Sequence, residues 1–140
     1  IHPAAEVGRL VFIDHGMGVV IGETAKVGDD VHMFHGVTLG GDDPRPVKRH
    51  PTVRDGATLG ANSTLIGDII VGQRATVGAG SVVVEDVPPG VTVAGNPATA
   101  AGGDTQAPAS DDVDGSVAED TEITAAADGK SAGEWGWLSC

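Results

Sequence analysis

The chain has 140 residues, 40% of them hydrophobic but only 3% aromatic, and a formal charge of −12 from 20 acidic against 8 basic side chains. That length allows one domain, and a core so short of aromatics has to be assembled from small aliphatics. An acidic surface repels phosphate and argues against nucleic acid as a partner. No apolar run reaches the roughly twenty residues of a membrane span and no secretory leader opens the sequence, so no membrane partner and a cytoplasmic location are expected.

From the first residue, aliphatic side chains recur every six positions: Ile1, Val7 and Ile13; then Ile21, Val27, Met33 and Leu39; then Val53, Leu59, Leu65, Val71, Val77 and Val83. Glycine often follows (Gly8, Gly22, Gly28, Gly40, Gly60, Gly72, Gly78), and the fifth position is small or β-branched (Ala25, Val31, Ala57, Ser63, Ala75, Ser81). Helical spacing does not produce a period of six. Short strands joined by tight corners do, with one aliphatic residue per strand pointing inward and a small residue letting the chain turn. The expected fold is therefore all-β, a β-solenoid of hexapeptide repeats over residues 1–100.

Two interruptions break the period. In 11-VFIDHGMGVVIGET-24 the step from Ile13 to Ile21 is eight residues, which makes Val19 and Val20 the extra pair and predicts a bulged corner near His15. The second, 40-GGDDPRPVKRHPT-52, is polar, carries three prolines and cannot continue the strands. A solenoid needs neither for stability, and loops on a rigid scaffold are where function is placed. The solenoid is expected to end near 87-VPPGVTVAGNPATA-100, where paired prolines and a glycine-proline cluster stop the ladder.

Residues 101–140 have a different composition. Ala, Gly, Asp, Ser and Thr dominate 101–133, too little apolar surface to offset the entropy of ordering, so an acidic disordered tail is expected. It ends in 134-EWGWLSC-140, with both tryptophans of the chain and its single cysteine, Cys140, which rules out an internal disulfide. The tip reads either as a docking peptide or as an unordered terminus.

Taken together, 2-HPAAEVGRLVFIDHGMGVVIGETAKVGDDV-31, 36-GVTLGG-41, 49-RHP-51, 59-LGANSTLIG-67, 78-GAGSVV-83 and 93-VAGNPA-98 resemble the catalytic domain of serine O-acetyltransferase. Hexads alone are shared by many acyl- and nucleotidyl-transferases; the DHG, GET, GVTLGG and RHP segments in this order are far more specific. The resemblance implies a left-handed parallel β-helix that assembles as a homotrimer, with acetyl-CoA as co-substrate in a groove between subunits and L-serine as acceptor. It also implies a C-terminal peptide that docks on O-acetylserine sulfhydrylase, for which Trp135, Trp137 and Leu138 are the candidate anchors. The 140 residues do not include the helical domain that precedes the β-helix in full-length members, nor the acidic residue just before the position of Ile1. They end in Cys140 where family members carry isoleucine.

Acetyl transfer to an alcohol needs a base for the hydroxyl proton, donors for the developing oxyanion, and a slot holding the thioester. His15 stands third in its hexad, a position that points outward, and its titration range suits the base. Its neighbour Asp14 resembles the family residue that meets the amino-acid substrate. Arg49 offers a fork for two parallel hydrogen bonds to the serine carboxylate, as in the family, and His50 adds a second donor. Glu23 resembles a family residue near the active site and reads equally as a corner carboxylate. Gly40, Gly41, Gly60, Ala61, Gly78 and Ala79 leave backbone open to a pantetheine arm, although tight corners also demand small residues.

Two rivals stay open. His15 and His35 fall in one column, about 5 Å apart at strand spacing, and with His32 and His50 they are similar to the histidine sets of γ-class carbonic anhydrases, which bind zinc across an interface. Against this, GVTLGG and RHP fit the acetyltransferase, and no metal is expected. The other rival is a transferase acting on homoserine, a sugar or an antibiotic hydroxyl; a sugar has no carboxylate for Arg49 to clamp.

Overall fold

The computed structural model describes residues 1–101, and the tail readings, Trp135, Trp137, Leu138 and Cys140 included, lie outside the described residues. Fourteen strands follow in order: β1 Glu6–Val7, β2 Phe12–Asp14, β3 Val20–Ile21, β4 Lys26–Val27, β5 His32–Phe34, β6 Thr38–Gly40, β7 Thr52–Val53, β8 Thr58–Leu59, β9 Thr64–Ile66, β10 Ile70–Val71, β11 Thr76–Val77, β12 Val82–Val83, β13 Thr92–Gly95 and β14 Ala98–Ala100. They form three sheets, the faces of a coil. Face A is β1-β4-β7-β10, face B is β2-β5-β8-β11-β13-β14, and face C is β3-β6-β9-β12. The chain visits the faces in turn, so each strand pairs in parallel with the strand one coil later. This is a parallel β-helix. No helix among the described residues is long and apolar enough to cross a membrane.

The hexads set the register. Val7, Val27, Val53 and Val71 align on face A. Ile13, Met33, Leu59, Val77 and Val93 align on face B, and Ile21, Leu39, Leu65 and Val83 on face C. Met33, Leu39, Leu59, Leu65, Val71 and Val77 are wholly buried, as are the small fifth-position residues Val31, Val37, Ala57, Ser63 and Ala75. Each large aliphatic side chain so buried contributes about 1.5–3 kcal/mol, which replaces what an aromatic core would supply. Ile1 and Val7 belong to the first coil and remain exposed.

The structure corrects two expectations. Val20 pairs in regular register with Thr38, and Val19 packs against the core, so neither is extra. The inserted residues lie in the corner His15–Gly18, where His15, Gly16 and Gly18 adopt φ of 66°, 46° and 69°. The pair Pro88–Pro89 does not stop the ladder either. Val87 still bridges Val71, and Val93 still pairs with Val77. The prolines occupy a corner, where Val87 N and Gly90 N on either side donate to Ile70 O and Gln73 O at 2.8 and 2.9 Å, and proline's missing N–H breaks nothing. The parallel coil ends at the glycine-proline cluster of the same stretch, where β14 folds back antiparallel on β13 through the cis Asn96–Pro97 bond.

Candidate functional site

The first group of predicted residues stands at the corner between faces B and C. Asp14 closes β2, and His15 begins the enlarged turn. His15 Nε2 lies 3.2 Å from Asp14 Oδ1, with the side chains 57% and 31% exposed. The left-handed φ of His15 does not single it out, because Leu10, Asp30, Asn62 and Arg74 carry φ of 56–57° at other corners. What sets this corner apart is its length: Ile13 pairs with Met33, twenty positions on, whereas Leu59 pairs with Val77, eighteen on.

Asp14 pairs with Phe34, and β5 runs beside β8 and β8 beside β11, so Gly60 and Gly78 follow Phe34 along the outer face. The turns stack as well: Asn62 N donates to His35 O at 2.9 Å and Gly80 N to Ala61 O at 2.8 Å. Thus Gly60, Ala61, Gly78 and Ala79 follow one another beneath His15 and His35, the first three buried and Ala79 exposed, so that less of this backbone is open than the sequence suggests.

The second group stands at the corner between faces C and A, built from 22-GET-24 and the polar loop. The Arg49 guanidinium donates from Nη2 to Glu23 Oε2 at 2.7 Å and from Nη1 to Arg45 O at 2.9 Å. Glu23 and the Arg45 carbonyl therefore fix the Arg49 guanidinium. His50 is 7% exposed and packs directly on Gly22, where a Cβ would fall 2.0 Å from the ring. Only glycine fits there. Burial, and then the neighbouring Arg49 and Lys48 charges, push the His50 pKa below its ordinary value, so the ring is held neutral. Lys48 ties the loop down through His50 O and, at 3.3 Å, Asp68 Oδ1. Gly41 lies against His50 and Arg49, and Gly40 against Ile66.

Sequence reasoning missed Thr24, whose Oγ1 meets Arg49 N at 3.0 Å, His50 N at 3.2 Å and His50 Nδ1 at 2.9 Å. The available signal was a hydroxyl beside Glu23 at a corner already marked by GET. The six predicted small residues divide between the corners, Gly40 and Gly41 with Arg49, the other four with His15. His32 lies between Phe12 and Phe34, at ring distances of 5.0 and 4.7 Å. Among the described residues no three His, Cys, Asp or Glu side chains are grouped to hold a metal ion.

The coil and its repeats define a hexapeptide-repeat protein, and the family described as bacterial transferase hexapeptide (six repeats) matches residues 50–84. Within that class the relatives are specific. A serine acetyltransferase of Bacillus pumilus is 57% identical over 97 residues, 69% of this chain and 45% of that protein. The Neisseria gonorrhoeae serine acetyltransferase solved in complex with serine superposes with a TM-score of 0.69 at 48% identity, covering 71% of this chain and 40% of that one. A serine acetyltransferase solved in complex with CoA gives 0.67 at 46%, again covering 71% and 40%. The chain belongs to the serine acetyltransferase family and spans less than half the length of these relatives.

Proposed function

We propose that the chain transfers an acetyl group from acetyl-CoA to the hydroxyl of L-serine, giving O-acetylserine. The observation that carries this reading is the Arg49–His50 pair, a cationic fork and a neutral ring anchored by Glu23 and Thr24 in a chain of net charge −12. Such a pair suits an acceptor that bears a carboxylate. His15 takes the hydroxyl proton as the serine oxygen attacks the thioester carbonyl. The C–O bond forms, the C–S bond breaks, and the proton passes from His15 to the CoA thiolate. Asp14 steadies His15 and meets the substrate; the lane of Gly60, Ala61, Gly78 and Ala79 accommodates the pantetheine arm beside it, with Gly40 and Gly41 lining the opposite wall.

The two groups flank face C of one coil, roughly 15 Å apart at ~3.3 Å per extended residue, too far for one small substrate to touch both. A closed threefold assembly with face C innermost sets the His15 corner of one subunit against the Arg49 corner of the next. A homotrimer with three shared sites is therefore part of the proposal, and light scattering that found an active monomer would contradict it. So is a cytoplasmic location. The tip 134–140 is proposed to dock on O-acetylserine sulfhydrylase through Trp135, Trp137 and Leu138; a binding measurement with and without those residues tests it.

The experiment for the activity is thiol release from acetyl-CoA offered serine, homoserine and simple sugars in parallel. Serine alone, or serine well ahead of homoserine, is the expected result. Turnover of sugars without serine would replace this reading with that of a sugar or antibiotic O-acetyltransferase.

A further inference from the structure

A threonine hydroxyl has one proton to give and two lone pairs to receive. At Thr24 the allocation is forced. The backbone amides of Arg49 and His50, 3.0 and 3.2 Å from Oγ1, only donate, so they take both lone pairs. The single hydroxyl proton is left for the remaining neighbour, His50 Nδ1 at 2.9 Å, which must therefore be the bare nitrogen of the ring. The Thr24 amide points at the same nitrogen from 3.3 Å. One corner residue thus fixes two successive loop amides and one side of an imidazole, across 25 and 26 positions of sequence.

We propose that Thr24 is the positioning residue of this corner: its hydroxyl locks His50 as the Nε2–H tautomer and seats the Arg49–His50 backbone, making His50 a hydrogen-bond donor and not a base. The ring's location agrees with this. Nε2 lies over Gly22 and beside Gly41, where an added Cβ would come within 2.1 and 3.0 Å of it, so the proton-bearing edge lies where the backbone carries no side chains. Proton removal is then left to His15 at the other corner, which is more than half exposed where His50 is buried. The substrate half of this inference rests on the proposed serine-binding role of Arg49 and His50; the tautomer half does not.

The test labels the histidines of the chain with 15N and records long-range proton–nitrogen correlations for the native sequence, Thr24→Val and Thr24→Ser over a range of pH. The expected spectrum has His50 with a bare Nδ1 and a protonated Nε2, neutral to below the ordinary histidine range. Thr24→Val is expected to mix the tautomers and raise the pKa, and Thr24→Ser to restore both. In parallel, the serine KM of Thr24→Val rises roughly ten- to hundredfold, the scale of a buried group left unsatisfied, while kcat changes only a few-fold. A proton on Nδ1 in the native chain overturns the proposal, and this reading stands even if the valine variant does not fold. A valine variant with the native spectrum also overturns the proposal. If the spectra behave as expected but the native chain does not acetylate serine, the positioning role stands and the serine reading fails. An altered ring with unchanged serine KM overturns the donor role of His50.

Discussion

The two corners that flank face C are built on opposite terms. At one, His15 stands more than half exposed, with Asp14 Oδ1 at 3.2 Å from its ring. At the other, Arg49 and His50 are pinned by Glu23, Thr24 and Arg45, with the imidazole 7% exposed. A group that takes up and returns a proton has to meet its reactants and change charge, which an open site permits. A group that grips a carboxylate has to be rigid before the ligand arrives, since freedom lost on binding weakens the grip. On the proposed roles, proton transfer falls where the chain is lengthened by two residues and the carboxylate grip where it is lengthened by a loop.

The widest separation between the corners is expected from His15→Ala, which should lower turnover by roughly two to four orders of magnitude while acetyl-CoA still binds. Calorimetric titration beside the thiol assay measures both, and activity within a few-fold of native would remove His15 from the chemistry. Next comes Arg49→Ala, expected to raise the serine KM roughly ten- to a hundredfold with a much smaller change for acetyl-CoA. An equal effect on both substrates would mean that Arg49 does not act as a clamp. Gly22→Ala drives a methyl into the His50 ring and should destabilise the fold by about 1–3 kcal/mol, read as a lower melting temperature. Gly80→Ala, with nothing within 4 Å and only a left-handed φ of 68° to strain, should lose about 1 kcal/mol.

The smallest effect concerns pH. His50 is held below its ordinary pKa of 6.5 by burial, so the unfolded chain takes up that proton first as pH falls. Its contribution to stability is complete above about pH 6.5 and is lost progressively as the medium becomes more acid. His50→Asn should flatten that part of the stability curve, measured by denaturant titration at pH 7.5 and 5.5. A second decline belongs lower, below about pH 3.8, where Asp29 and Asp43 are held under their usual range by hydrogen bonds from Arg9 and Arg45. Unchanged acid sensitivity in the His50 variant would assign the first decline to other groups.

Sequence periodicity carried the fold because each strand contributes one inward side chain, so the columns Val53–Val71 and Leu59–Val77 can be read by counting sixes. Counting failed at Val19 and Val20, where a β-branched pair looked inserted while Gly16 and Gly18 absorbed the surplus through left-handed turns. It failed at Pro88–Pro89 because proline stops a ladder only where its N–H is required. His15, Asp14, Arg49 and His50 stood out because they sit at breaks in the period. Thr24 did not. Its partners come from the far end of the loop, so the GET corner marks a hydroxyl without showing that it serves two distant amides.

The reversed strand at the end of face B has a consequence for solubility. A stack of parallel rungs presents unpaired backbone at its ends, and two such ends in matching register invite copies to add head to tail into a fibre. In β14 the chain direction is inverted, so an incoming parallel rung meets donors and acceptors in the spacing of an antiparallel partner. On that face the last of the described strands breaks the translational symmetry, so an incoming copy would have to pair antiparallel where every earlier rung pairs parallel.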